Sequence, residues 1–481
     1  MGCACDEEYN FCESYLVIRA EQASCLDLLR TLCSKDLEKR DYLNTPVRGG
    51  STRFRYRWIV FISVLLQKVL ICLRTPMAAV GSTVELWLNF PAANGGYGRM
   101  ISNLFTGGLE RPDKSSATFT SIAANVDKRW NLDTSDNASI AMMASKLSYE
   151  NQSFVRNVVT NHWQVYKKKI QMEFTEFYNF WNDYQKLDTT CAIMFHDKTD
   201  PNLIVVAFRG TEPFSADDWR TDIDISWYEF RGVGRIHSGF LKALGQQKST
   251  GWPKEISAGK GPTRKQYSYY TIREKLRTIV RENGSAKFIL TGHSMGGALA
   301  ILFAGVLAMH EEELLLSRLE GVYTFGQPRV GDERFGEYIK GKMRDFDVKY
   351  FRFVYSNDMV PRLPYDDKTF LFKHFGPCLY FNSCYKGQVL EEEPNKNYFS
   401  LLHVVPKILT AVYQLIRGFI LPWTKGEDYR EGWLMKLLRV TALLIPGLAD
   451  HILVDYVNLT RLGKLPSSVY PLGPNQNLKQ D

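Results

Sequence analysis

A chain of 481 residues with 45% hydrophobic and 23% charged side chains can bury a large core and still carry appendages around one catalytic domain, which excludes disorder throughout. The excess of 60 Lys plus Arg over 52 Asp plus Glu is mild, and no RNA or DNA motif accompanies it, so a nucleic-acid partner is not expected and attraction to anionic lipid headgroups is. Nine scattered cysteines give neither the paired spacing of a zinc site nor a secreted disulfide framework; a reducing, cytosol-facing compartment follows, with no metal and no cofactor expected.

At the N-terminus, Met1-Gly2-Cys3-Ala4-Cys5 would suit myristate on Gly2 and palmitate on a neighbouring cysteine, but Asp6 stands where that pattern needs Ser or Thr, so lipidation is not expected. No charged-apolar-small signal pattern follows, and secretion is not expected either. From Trp58 to Phe90 the chain is strongly apolar, interrupted by Lys68, Arg74 and Pro76. Two apolar arms around Pro76, preceded by Arg53, Arg55 and Arg57, predict a hairpin entering a lipid layer from one side, its cations reaching back to the interface. A helix pair packed on the globular domain is the competing expectation. Residues 1–92 are thus read as one region with a lipid-associating segment at about 58–90, and the Gly-, Asn-, Ser- and Thr-rich residues 93–135 as a linker.

The remainder, 136–481, alternates helices and strands. Ala138 to Gln164 looks helical, and Leu203 to Phe208 is short, apolar and β-branched, as a buried strand should be. The alternation continues to about Tyr355 and predicts an α/β fold with a mostly parallel central sheet. After the strand ending at Phe208, Arg209-Gly210-Thr211 can present an oxyanion donor at Thr211. The segment Glu212 to Trp227 suits a mobile lid, or, with Asp217, Asp218, Arg220 and Asp222, only a solvated turn.

The strongest signal is Lys287-Phe288-Ile289-Leu290-Thr291 running into Gly292-His293-Ser294-Met295-Gly296-Gly297-Ala298. An apolar strand feeds a small-residue helix through Gly-X-Ser-X-Gly, the turn that exposes a nucleophilic serine; Gly292 and Gly296 remove the side chains that would collide there. The helix N-terminus, with Met295 supplying one N–H, directs positive partial charge at a developing oxyanion. Ser294 needs a base, and the base a carboxylate, in the order Ser, acid, His for an α/β-hydrolase. Asp358, just past the strand Lys349 to Tyr355, is the candidate acid. His374, His403 and His451 follow it; chain order and the breaker-rich Ile445-Pro446-Gly447 turn favour His451, with the other two still open.

Between acid and base, at about 365–445, lies a predicted helical insertion. Apolar residues recur at helical spacing from Leu401 to Ile420, with Lys407, Gln414 and Arg417 on another side, and a second basic-apolar stretch runs from Trp433 to Ile445. Helices lying along a lipid interface and helices closing an enlarged core fit equally well.

Five blocks in order, Phe208-Arg209-Gly210-Thr211, Ile236-His237-Ser238-Gly239-Phe240, Thr291 to Gly297, Phe325-Gly326-Gln327-Pro328-Arg329 and Asn357-Asp358-Met359-Val360-Pro361, resemble the class 3 lipases of fungi and plants from about Ala138 to Gly463. That resemblance implies Ser294, Asp358 and His451 as nucleophile, acid and base, Thr211 and Met295 at the oxyanion hole, and Asp450-His451 with Tyr456 as the family's terminal elements. The apolar N-terminal segment and enlarged C-terminal half resemble the plant oil-body branch. Membership there implies hydrolysis of triacylglycerol at the cytosol-facing surface of lipid droplets, with the endoplasmic reticulum membrane as a second location. Phospholipid or galactolipid acyl hydrolysis would use the same triad, and a non-catalytic droplet scaffold is the reading from another class. No protein partner is indicated.

Overall fold

The computed structural model describes residues 11–33, 41–46, 54–120, 137–163, 172–197, 202–247, 251–256, 265–366, 372–396, 398, 401–426, 429 and 431–465. Gly2 and Cys3, Arg53 and the later part of the expected linker lie outside them.

An eight-stranded sheet forms the centre. Its strands, in chain order, are β3 (Met172–Asn182), β4 (Leu187–Asp197), β5 (Leu203–Phe208), β8 (Lys287–His293), β9 (Leu319–Phe325), β10 (Lys349–Tyr355), β11 (Cys378–Phe381) and β12 (Gly387–Leu390). They lie side by side as β12-β11-β10-β9-β8-β5-β4-β3. The five from β5 to β11 run parallel, with antiparallel β12 at one edge and β4 and β3 at the other. Every residue of β5 is buried, as expected of a parallel strand covered on both faces. Helix α9 (Met295–Met309) is buried almost throughout against β8, β9 and β5. Helix α4 (Asn137–Leu147) covers the other face; the expected single helix at 138–164 breaks at Ser148–Asn151, where Asn151 caps α5 (Gln152–Asn157) by accepting from Phe154 N–H.

A second, antiparallel sheet joins the N-terminus to the body built around the eight-stranded sheet. β1 (Ser14–Ile18) pairs with β2 (Leu43–Asn44) on one side and with β6 (Trp227–Phe230) on the other, and β6 pairs with β7 (Gly234–His237). Helix α1 (Cys25–Cys33) packs beside it.

Two expectations are corrected. The hairpin at Pro76 is instead one helix, α2 (Phe54–Ala93), 40 residues long with Pro76 and Pro91 inside it. An internal proline removes one helical hydrogen bond and crowds the preceding turn. Contacts with α6 (Ala216–Ile223) come before Pro76: Ser63 Oγ donates to the Ile223 carbonyl at 3.1 Å, and Arg74 Nε pairs with Asp217 at 2.8 Å; past the proline, Gly81 lies against Phe214. Second, the insertion is not wholly helical. It opens with β11 and β12, which extend the sheet beyond β10, and only then forms α12 (Val404–Lys425) and α13 (Trp433–Thr441). Helices α2 and α12 are each long and apolar enough to cross a membrane.

Candidate active site

β8 delivers Ser294 at its carboxyl end. Ser294 has φ 59° and ψ −131°, a left-handed conformation that costs a non-glycine residue about 1–3 kcal/mol, and its N–H bonds the Phe325 carbonyl at 2.9 Å. The turn closes only without side chains at its flanks. A Cβ on Gly292 would lie 2.2 Å from the Gly296 carbonyl carbon, and one on Gly296 would lie 2.2 Å from the Phe208 oxygen.

The imidazole beside Ser294 is that of His451, on a 3-10 turn (Ala449–His451) that follows the Pro446-Gly447 break. His451 Nε2 is 2.8 Å from Ser294 Oγ, and His451 Nδ1 is 3.0 and 2.8 Å from the two carboxylate oxygens of Asp358. Asp358 is fully buried and has two further donors, the Val360 N–H at 2.9 Å and the Tyr456 hydroxyl at 2.5 Å. Tyr456 stands on α14 (Leu453–Leu462). Asp450 accepts from the Asn357 N–H at 2.9 Å, so the turn carrying His451 is tied to the turn carrying Asp358. Gly326 makes room: with φ +61°, a Cβ there would sit 3.0 Å from Asp358, His451 and Tyr456 alike.

On the other side of Ser294 stand the candidate oxyanion donors. Met295 is the first residue of α9, where backbone N–H groups have no helical partner. Thr211 follows Gly210, whose Cβ, if present, would lie 3.0 Å from Ser294 Cβ. The Thr211 hydroxyl donates to Asp222 at 2.6 Å. Asp222 belongs to α6, the helical part of the segment read as a lid, and burial pushes its carboxyl up to about 7. The solvated-turn alternative fails, because Asp217, Asp218 and Asp222 are all buried: Asp218 accepts from the Glu212 N–H at 3.0 Å and takes Gln185 at 2.7 Å.

His293 and His374 have structural partners, and His403 lies on another element. His293 Nε2 meets the His451 carbonyl at 2.8 Å and its Nδ1 the Tyr149 hydroxyl at 3.0 Å, while burial holds its pKa well below the ordinary range. A neutral ring thus backs His451 without adding charge. The side chain of His374 is buried, with Nε2 2.6 Å from the Pro361 carbonyl, and His403 sits at the start of α12. Sequence reasoning missed Tyr149, which wedges between His293 and Gly210; nothing in its own surroundings in the chain points to Ser294, 145 positions on.

The insertion carries its polarity outward-in. On α12, Lys407, Gln414 and Arg417 are buried, whereas Leu402 just before it is 86% exposed and Trp423 90%. Val405, Leu409, Ile416, Phe419 and Ile420 are exposed as well. Arg417 and, from α13, Arg439 both reach the fully buried Asp455 on α14, at 3.0 and 2.9 Å. The residue after Asp455 is Tyr456, so the apolar helices are joined to the helix that supports Asp358.

The sequence model of the class 3 lipases matches residues 205–368. Triacylglycerol lipase OBL1 of Arabidopsis thaliana is 40% identical over 94% of this chain and 95% of its own length, and the OBL1 of Ricinus communis 34% identical over the same shares. The lipase of Rhizomucor miehei is 34% identical over 36% of this chain and 40% of its own. Its native propeptide complex is a structural neighbour with TM-score 0.38, at 20% identity over 59% of this chain and 80% of that one. With near full-length identity to the plant proteins and the family match across the serine and acid segments, this chain belongs to the class 3 lipases, in the branch of the plant OBL1 lipases.

Proposed function

We propose that this chain is a triacylglycerol lipase acting on stored neutral lipid at the cytosol-facing surface of lipid droplets. The observation that carries the chemistry is the continuous line from Ser294 Oγ through His451 to Asp358, with both hydrogen-bonded steps at 2.8 Å. Ser294 Oγ attacks the ester carbonyl while His451 Nε2 takes its proton; Asp358 holds the ring and balances the imidazolium. The carbonyl oxygen, now negative, is bound by the Met295 N–H and by Thr211. The tetrahedral intermediate collapses as His451 returns the proton to the departing diacylglycerol oxygen. Water, deprotonated by His451, then attacks the acyl-enzyme and releases the fatty acid.

Residues 136–481 act as the hydrolase unit, and α2 and α12 supply the contact with the lipid phase. The inverted polarity of α12 supports this: Lys407 and Arg417 are satisfied within the protein, and its outward side chains are those a water-facing helix would avoid. The curated relatives named triacylglycerol lipase support acylglycerol over polar lipid.

A fluorophosphonate probe tests the nucleophile: labelling of the wild type that disappears in Ser294→Ala is expected, and equal labelling of both would overturn it. Matched emulsions of triacylglycerol, phospholipid and galactolipid test the substrate. Faster turnover of either polar lipid would reassign it.

A further inference from the structure

Ser356 opens the turn that delivers Asp358, and its φ of +43° puts a residue with a side chain in the strained left-handed region. Such a conformation persists only where its surroundings hold it. The Ser356 N–H donates to the Phe381 carbonyl on β11 at 2.7 Å, and its carbonyl accepts from Arg362 Nη2 at 3.1 Å. Its hydroxyl accepts from Gln414 Nε2 on α12 at 3.3 Å. Tyr355, the last residue of β10, is held from the same helix: its hydroxyl accepts from Arg417 Nη1 at 2.8 Å and, more weakly, from Gln414 at 3.4 Å.

Burying an amide and a guanidinium costs free energy unless acceptors meet them, and a helix that only closed a core or only rested on lipid has no need of either. Gln414 and Arg417 are nonetheless buried. Arg417 is neutralised by Asp455 at 3.0 Å, and it also reaches the Tyr385 hydroxyl at 3.1 Å and the Ser383 carbonyl. Arg439 pairs with both Asp455 and Glu431, so two cations and two carboxylates balance. What the cluster supplies is geometry. The planar fork of Arg417 spans Asp455 on α14 and Tyr355 at the end of β10, fixing the spacing of the two elements that present Tyr456 and Asp358 to each other.

We propose that Gln414 and Arg417 are positioning residues for the acid: through them α12 holds the Tyr355-Ser356 corner and α14 in the register that keeps the Asp358 carboxylate on His451 Nδ1. They touch neither substrate nor reacting atoms and act through Asp358. The inference rests on the triad reading above, and it makes the insertion part of the hydrolase site independently of any contact between α12 and lipid.

The test uses the full chain carrying Gln414→Met with Tyr355→Phe, which cuts the direct links from α12 to the corner and leaves the four charges around Asp455 in place. On a dissolved short-chain p-nitrophenyl ester, kcat should fall about tenfold with KM within twofold, because the loss falls on the imidazolium that forms in the transition state. A less well placed Asp358 supports that imidazolium less, so the acidic limb of the kcat profile should move to lower pH. The other titratable groups around the pair, Asp222, Arg362, Asp450, Tyr456 and the neutral His293, are kept. A readout without turnover is the low-field proton resonance of the His451 Nδ1–H, identified by its loss in His451→Ala; it should weaken or move upfield. Arg417→Lys, which keeps the charge beside Asp455 but cannot fork to Tyr355, should shift the limb and the resonance in the same direction by less. Wild-type values of kcat, limb and resonance overturn the proposal, and so does a loss of urea stability with limb and resonance unmoved. If the double variant does not fold, Gln414→Met alone decides by the same readouts. Should no form, wild type included, hydrolyse the ester or take up a fluorophosphonate, the lipase reading fails, while a resonance that still moves leaves the positioning role standing.

Discussion

The hydroxyl of Tyr456 offers a sharper test of the site than removing a triad member. Tyr456→Phe deletes one oxygen from a fully buried side chain and leaves the ring packing against Phe325 and His293 in place. What is lost is a 2.5 Å hydrogen bond to Asp358 and, more weakly, an acceptor for the Tyr355 N–H at 3.3 Å. A hydrogen bond to a charged group contributes about 1.5–3 kcal/mol, so the urea midpoint should fall by an amount equivalent to about 2 kcal/mol. If all of that acted only in the transition state, the rate would fall about 10- to 100-fold at roughly 1.4 kcal/mol per decade. Asp358 keeps the Val360 N–H and His451, so the lower end is expected: about tenfold in kcat with little change in KM. The assay is a dissolved short-chain p-nitrophenyl ester, which removes interfacial binding from the measurement. Asp358→Asn should cost far more, on the order of 10⁴-fold, because it upsets the His451 tautomer. A Tyr456→Phe enzyme within twofold of wild type in both rate and stability, or one as inactive as Asp358→Asn, would refute this account of the acid.

Further expectations come from neighbouring positions. Asp222, raised by burial from 3.8 to about 7, holds its proton more tightly in the folded state, so its contribution to stability falls as pH rises from about 4 to about 7. Three units at about 1.4 kcal/mol each give roughly 4 kcal/mol, so Asp222→Asn should stabilise the protein at pH 8 and change little at pH 4, as read by urea unfolding at both; no gain at pH 8 would count against it. Gly296→Ala forces a methyl group to within 2.2 Å of the Phe208 oxygen, a backbone atom with no room to yield, and should abolish fluorophosphonate labelling. Leu409→Asp with Ile416→Asp places charge on the outward face of α12; flotation with a triolein emulsion should fall severalfold while hydrolysis of the dissolved ester stays within twofold. His374→Ala should disturb the Pro361 turn and lower stability, yet keep measurable turnover, in contrast to His451→Ala.

What could be read from the chain was what chemistry or local pattern fixes. The strands β5 and β10 follow their apolar runs residue for residue, and the Ser294 turn is legible because its two glycines are demanded by collisions of the backbone. His451 was favoured among three candidates by chain order and by the break before it, and the structure brings it to Ser294. Pro76 misled, because a proline read alone predicts a bend, whereas the helix runs on through it, packed on α6 at Ser63 and Arg74 before the proline and against Phe214 at Gly81 after it. Strands β11 and β12 were missed for their brevity: four residues each, amid aromatics and glycine, carry too little periodicity. On α12 the period was legible and the direction was not. Helical spacing separates Lys407, Gln414 and Arg417 from the leucines and isoleucines, but which side faces the protein depends on Asp455, nearly forty positions after Arg417.

The pairing of β1 with β6 bears on how this protein can be dissected genetically. Ser14, Tyr15 and Leu16 hydrogen-bond along Glu229, Tyr228 and Trp227, immediately after α6. A truncation that removes the first fifty residues would bare that flank of β6, and an uncovered strand edge invites pairing with other molecules. Such shortened proteins are expected to clump in the cell, and a mislocalised truncation would then report aggregation, whatever the role of α2 in targeting.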